Sequence, residues 1–217
     1  MSTVANLKEI ERRAFRSTYQ DGLWDLYMGL IVVCMSIFIY RPASGYSLWN
    51  FVLLLLVFAV AYGLYYAGKK YITLPRMGQV RFGALRKRKA RTLAIILGVF
   101  ILFQIGVVGI TALGWLSSEV GGMLNHFLPE GASTLPLVAA IGSLMVGISM
   151  IVIAYFSDFP RGYYIAILMA LAVFLMIYLN QPIYPMIIGG LIILPGLVLF
   201  IRFLKAYPWR REETLDE

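Results

Sequence analysis

Six long apolar runs, at 23–40, 48–67, 93–113, 137–156, 163–179 and 183–204, decide what this chain can fold into. A helix rises about 1.5 Å per residue, so about 20 residues cross a hydrocarbon core of roughly 30 Å. All six runs fit that window, the fifth at its lower edge. In hydrocarbon, backbone amides and carbonyls must pair within the protein, which leaves helices or closed barrels as spanning structures. A run such as Phe51-Val52-Leu53-Leu54-Leu55-Leu56-Val57-Phe58 shows none of the polar–apolar alternation of a barrel strand. The runs therefore predict an all-α, polytopic membrane protein: a bundle of six transmembrane helices forming one domain over 1–217.

What lies between the runs is too short for anything else. The longest intervening piece, 68–92, has 25 residues, and segments below about 40 residues rarely fold without staples. Charged residues make up 14% of the chain, against about 25% in a soluble domain. A separate water-soluble catalytic domain is excluded. The one cysteine, Cys34, lies inside the first run and rules out an internal disulfide.

Basic residues resist translocation and so report orientation. With both termini cytoplasmic, six crossings place 18 of the 19 Lys and Arg residues on the cytoplasmic side and only Arg41 opposite. Adding or removing one span would invert every later loop and destroy that split. The expected location is the plasma membrane, multi-pass. The first run is read as a retained helix rather than a cleaved signal, because Glu11, Asp21 and Asp25 surround the Arg12-Arg13 pair.

Four segments lie outside the spans: 1–22, 68–92, 114–136 and 205–217. In the first, Leu7, Ile10 and Ala14 form a short apolar stripe suited to an interfacial helix. Asp21 and Asp25 stand i,i+4 at the start of the first span, where carboxylates can cap first-turn amides. Asp25 is also a candidate intramembrane polar site, through an ion pair with an arginine or as a proton site. The outer segment holds Glu119, His126 and Glu130, but Pro129 breaks their helical register, and no metal site is expected.

The 68–92 segment is the most distinctive. It carries nine cations (Lys69, Lys70, Arg76, Arg81, Arg86, Lys87, Arg88, Lys89 and Arg91) and no acid. Each cation held at an anionic surface contributes about 1 kcal/mol, so contact with lipid headgroups, or with an acidic protein partner, is the expected role. Arg86-Lys87-Arg88-Lys89 lacks flanking stacking aromatics, so nucleic acid is not an expected partner. Residues 71–74 and 79–82 read as two short β-prone pieces around Pro75–Gly78, followed by the helix of span three.

Within the runs, small residues recur at i+4: Ala59, Gly63, Ala67; Ala139, Ser143, Gly147; and Ala166, Ala170. Such ladders let membrane helices approach closely. Mid-run polar residues are few: Gln104, Ser36, Thr111, Ser143 and Ser149. No Asp, Glu or His of the kind a proton relay needs lies at mid-depth. Pro195 and Gly196 predict a kink in the sixth span. No nucleophile elbow, phosphate loop or metal-ligand motif occurs, so no catalytic, metal or cofactor site is expected. The function expected is non-enzymatic: a membrane-embedded subunit, scaffold or lipid- and partner-contacting bundle, homo-oligomers included. The alternative is a small permease or channel with a polar path near Gln104 and the bent sixth span.

Overall fold

The computed structural model describes residues 19–39, 48–77, 84–116 and 134–208. Among these the structure is helical throughout, with no strand. The α-helices are α1 (Leu23–Ile39), α2 (Leu48–Ala67), α3 (Leu74–Met77), α4 (Ala84–Leu116), α5 (Thr134–Phe156), α6 (Arg161–Leu179) and α7 (Ile183–Ala206). A π-helical turn, Gly68–Thr73, joins α2 to α3. Four stretches are long and apolar enough to cross a membrane: Arg88–Gly106, Pro136–Phe156, Arg161–Leu179 and Ile183–Ala206. The apolar stretch Leu23–Ser36 in α1 is shorter. The expected interfacial stripe at Leu7–Ala14, residues 117–133 of the outer segment and the tail beyond 208 lie outside the described residues.

The chain forms two compact units, one of Met1–Phe82 with Gln181–Glu217 and the other of Gly83–Asn180. In unit 1, α1 lies antiparallel to α7, and two glycine pairs set their separation. Gly22 faces Gly196, and Gly29 faces Gly189. A Cβ on Gly29 would stand 2.9 Å from the Gly189 carbonyl oxygen and 2.6 Å from Ile193 Cγ1; one on Gly189 would stand 2.8 Å from the Gly29 carbonyl oxygen. Only hydrogens fit there, so the backbones themselves touch. In lipid, where no hydrophobic effect drives helices together, such contact is the main source of cohesion. Gly22 also has φ +72°, a left-handed conformation that glycine adopts without strain.

In unit 2, α5 and α6 form a helical hairpin. Its turn is closed by Ser157 N–H to Ile153 O (2.9 Å), Phe159 N–H to Ala154 O (2.9 Å) and Gly162 N–H to Phe159 O (2.9 Å). Asp158, at φ +49°, reverses the chain, and Phe159 is buried beneath it. Ala139, Ser143, Ala166 and Ala172 are buried, and a Cβ on Gly147 would lie 3.1 Å from Ala170 Cβ. The small-residue ladders of these two helices therefore meet. The ladder expected in α2 does not do the same: Ala59 and Gly63 are exposed, with open space beside Gly63, and Ala61 is buried instead.

One further expectation is corrected. Residues 71–77 are helical rather than β, because α2 continues as a helix and no neighbouring strand is present among the described residues. The π turn lies immediately before Pro75, whose ring would crowd the carbonyl four residues back in a regular α-helix. The 79–82 piece lies outside the described residues. Pro195, the expected kink position, lies inside α7. Gly196 serves as a contact point there, since its added Cβ would meet Asp25 Cβ at 2.9 Å.

Candidate functional site

The densest polar constellation lies at one end of unit 1, where the start of α1 meets the end of α2. Asp21 is fully buried, at 0% exposure. Its Oδ2 accepts hydrogen bonds from Lys69 Nζ at 2.7 Å and Thr73 Oγ1 at 2.7 Å. Its Oδ1 accepts from the Leu23 backbone N–H at 3.3 Å, capping the first turn of α1. The intervening Gly68–Thr73 turn is π-helical, and it presents Lys69 and Thr73, four residues apart, to a single carboxylate oxygen.

Aromatic rings surround this ion pair. Lys69 Nζ lies 5.9 Å from the Tyr19 ring centroid, within cation–π range. Trp24 packs against Tyr19 (6.0 Å), Tyr27 (5.7 Å) and Tyr65 (5.5 Å), and Tyr27 lies 5.1 Å from Tyr65. Trp and Tyr concentrate where a membrane protein passes from hydrocarbon to headgroups, because one part of each ring is apolar and the other is wet. The same end of the unit holds the last turn of α7. Arg76 Nη1 donates to the carbonyls of Leu204 (3.4 Å) and Tyr207 (3.2 Å). Those carbonyls lack intrahelical partners, and the guanidinium also suits the negative end of the helix dipole.

The nine cations of the 68–92 segment thus separate into distinct roles. Lys69, with its side chain 14% exposed, and Arg76 are engaged by acceptors within unit 1. Lys69 is held by a carboxylate shut away from water, and Arg76 by carbonyls at the end of α7. Lys70 is exposed, its Nζ 5.5 Å from the Tyr71 ring centroid. Arg88, Lys89 and Arg91 are exposed on α4. Arg86 and Lys87 belong to the first turns of α4 but their side chains lie outside the described residues, as does Arg81 altogether.

Of the two candidate intramembrane polar residues, Asp25 is buried, at 3% exposure, where α1 meets Gly196. Gln104 lies half-buried on α4 in unit 2. Three mid-run hydroxyls turn back to their own helices, and the Thr111 side chain lies outside the described residues. Ser143 Oγ donates to Ala140 O at 2.9 Å, Ser149 Oγ to Met145 O at 2.8 Å, and Ser36 Oγ to Val33 O. Among the described residues no group of three or more His, Cys, Asp and Glu side chains gathers. Glu119, His126 and Glu130 lie outside them.

These features define an all-helical membrane-protein class, with apolar helices of spanning length and an aromatic-walled ion pair at one end of one unit. No family model, curated protein or solved structure matches the chain.

Proposed function

We propose that this chain is a six-span integral protein of the plasma membrane, with both termini and the 68–92 segment cytoplasmic. It acts by contact rather than by catalysis, as an embedded subunit or scaffold whose basic segment engages anionic headgroups. One observation carries the reading. The start of α1, the end of α2 and the end of α7 meet at one end of unit 1, through Asp21–Lys69 at 2.7 Å and Arg76–Tyr207 O at 3.2 Å. Six crossings with both termini cytoplasmic require these three chain positions to share a side. The 18-to-1 distribution of basic residues, read from the sequence, supports the same threading.

The exposed cations Arg88, Lys89 and Arg91, at the start of a helix whose apolar run begins at Leu93, suit the headgroup layer. Replacing Arg86, Lys87, Arg88 and Lys89 together by glutamine removes about 1 kcal/mol of surface attraction per residue. The remaining cations of the segment preserve its orientation. After mild detergent extraction from native membranes, the fourfold variant is expected to lose most of the anionic lipid that travels with the protein. Unchanged lipid retention would contradict the headgroup role. In this reading Gln104→Leu leaves that retention intact. A substitution at Gln104 that abolished solute flux through reconstituted vesicles would favour the permease alternative.

A further inference from the structure

We propose that the basic turns at the start of α4 are ringed by anionic phospholipids, with Arg88, Lys89 and Arg91 each holding a separate headgroup phosphate on its own side of the helix. The proposal rests on the reading above, in which α4 crosses the bilayer with its basic end among cytoplasmic headgroups. The helix is continuous from Ala84 to Leu116, so its basic turns prolong the axis of the apolar run that begins at Leu93. At about 1.5 Å per residue, Arg91, Lys89 and Arg88 stand about 3 to 7.5 Å beyond Leu93, which matches a headgroup layer about 5 to 7.5 Å thick.

The distribution around the axis selects the occupant. At about 100° per residue, Lys89 lies about 100° to one side of Arg88 and Arg91 about 60° to the other. The positions of Arg86 and Lys87 fill the remaining arc, and α4 contains no acid. Arg88, Lys89, Ala90, Arg91 and Thr92 are all exposed. Five consecutive residues exceed one full turn, so the described residues cover no side of the helix at that level. Deeper in α4, Leu93, Leu97, Phe100 and Gln104 are half-buried, and this partial cover of one face ends where the cations begin. A helix lying flat on the membrane needs an apolar face, which a ring of cations denies it. An acidic protein meets one side of a helix and leaves the cations opposite without counter-charge. The same holds for the acidic end of this chain, with Glu212, Glu213, Asp216 and Glu217. Lipids reach a spanning helix from every free side, and each brings its own phosphate.

The test uses the full-length chain in vesicles of phosphatidylcholine with a minor share of phosphatidylglycerol. Native mass spectrometry after mild detergent release counts the phosphatidylglycerol molecules that stay bound. Arg88→Gln, Lys89→Gln and Arg91→Gln are each expected to weaken one retained lipid by about fivefold, and the three losses to add. The decisive variant combines Lys89→Gln with Ala90→Lys, which moves the cation about 100° round the helix at nearly the same height. A ring of separate lipids predicts that retention returns to the wild-type level. No recovery, or loss of every retained lipid from one single substitution, would show a one-sided site and overturn the ring. Loss of a co-purifying acidic protein instead of lipid would overturn it as well. Unchanged retention in the triple variant would place the lipid elsewhere, overturning the ring while leaving the headgroup reading intact. A wild-type chain that retains phosphatidylglycerol no better than phosphatidylcholine would overturn the headgroup reading itself.

Discussion

Gly189→Leu is expected to force α1 and α7 apart and to destabilise unit 1 by about 3 kcal/mol, while Gly190→Leu, one residue further on, changes stability by about 0.5 kcal/mol or less. The contrast comes from what each new side chain would meet. A Cβ at position 189 stands 2.8 Å from the Gly29 carbonyl oxygen and 3.0 Å from Val33 N, both backbone atoms of a packed helix that cannot swing aside. At position 190 nothing lies within 4 Å. Protein interiors respond to added volume by shifting backbone or straining rotamers, and here the obstacle is backbone on both sides. Gly63→Leu is a second control, since that glycine also faces open space. Reversible unfolding in mixed detergent and dodecyl sulfate reads the difference. Equal losses at 189 and 190 would mean that α1 and α7 do not meet through their glycines.

The second large effect belongs to the buried ion pair. Lys69→Met leaves the fully buried Asp21 carboxylate with Thr73 and one backbone amide, but no cation. Removing one member of a buried pair costs about 3 kcal/mol, because the other charge stays desolvated and uncompensated. Asp21→Asn combined with Lys69→Met removes that charge and is expected to be more stable than Lys69→Met alone. A double-mutant cycle, measured by thermal unfolding in mild detergent, gives the coupling directly. The same cycle with Lys70→Met is the control, since Lys70 is exposed. Additive effects of Asp21→Asn and Lys69→Met would show that the contact contributes no net coupling.

Much of this fold can be read from hydrophobicity alone. Length and apolarity mark α1, α2 and α5 to α7 within a few residues, and the apolar part of α4, whose helix begins nine residues before its run, because in hydrocarbon a backbone outside a closed barrel has no alternative to a helix. The α5–α6 contact was also legible, since both helices carry small residues at i+4 and those faces meet. The α1–α7 contact has no such i+4 pattern, because its glycines recur at seven residues rather than four. Gly22 and Gly29 mirror Gly189 and Gly196, two turns apart on each helix. That repeat is visible in the sequence once sevens are sought.

The candidate site was less legible. Asp21 could be recognised as a helix cap, and it does cap α1. Its link to Lys69 and Thr73, 48 and 52 residues away, needs the π turn and the α1–α2 packing, neither of which has a local signature. Lys69 and Arg76 were counted with their cationic neighbours because charge in a sequence carries no direction. Only their acceptors, a buried carboxylate for one and helix-end carbonyls for the other, separate them from Lys70, Arg88, Lys89 and Arg91.

The central claim is that the basic 68–92 segment, which runs into the first turns of α4, faces the cytoplasm, and a single labelling experiment tests it. In a Cys34→Ser background, Lys89→Cys and Ser118→Cys are treated in intact cells with a membrane-impermeant maleimide. The account predicts that Ser118→Cys is labelled at once and that Lys89→Cys is labelled only after the membrane is opened. Labelling of Lys89→Cys in sealed cells would contradict it.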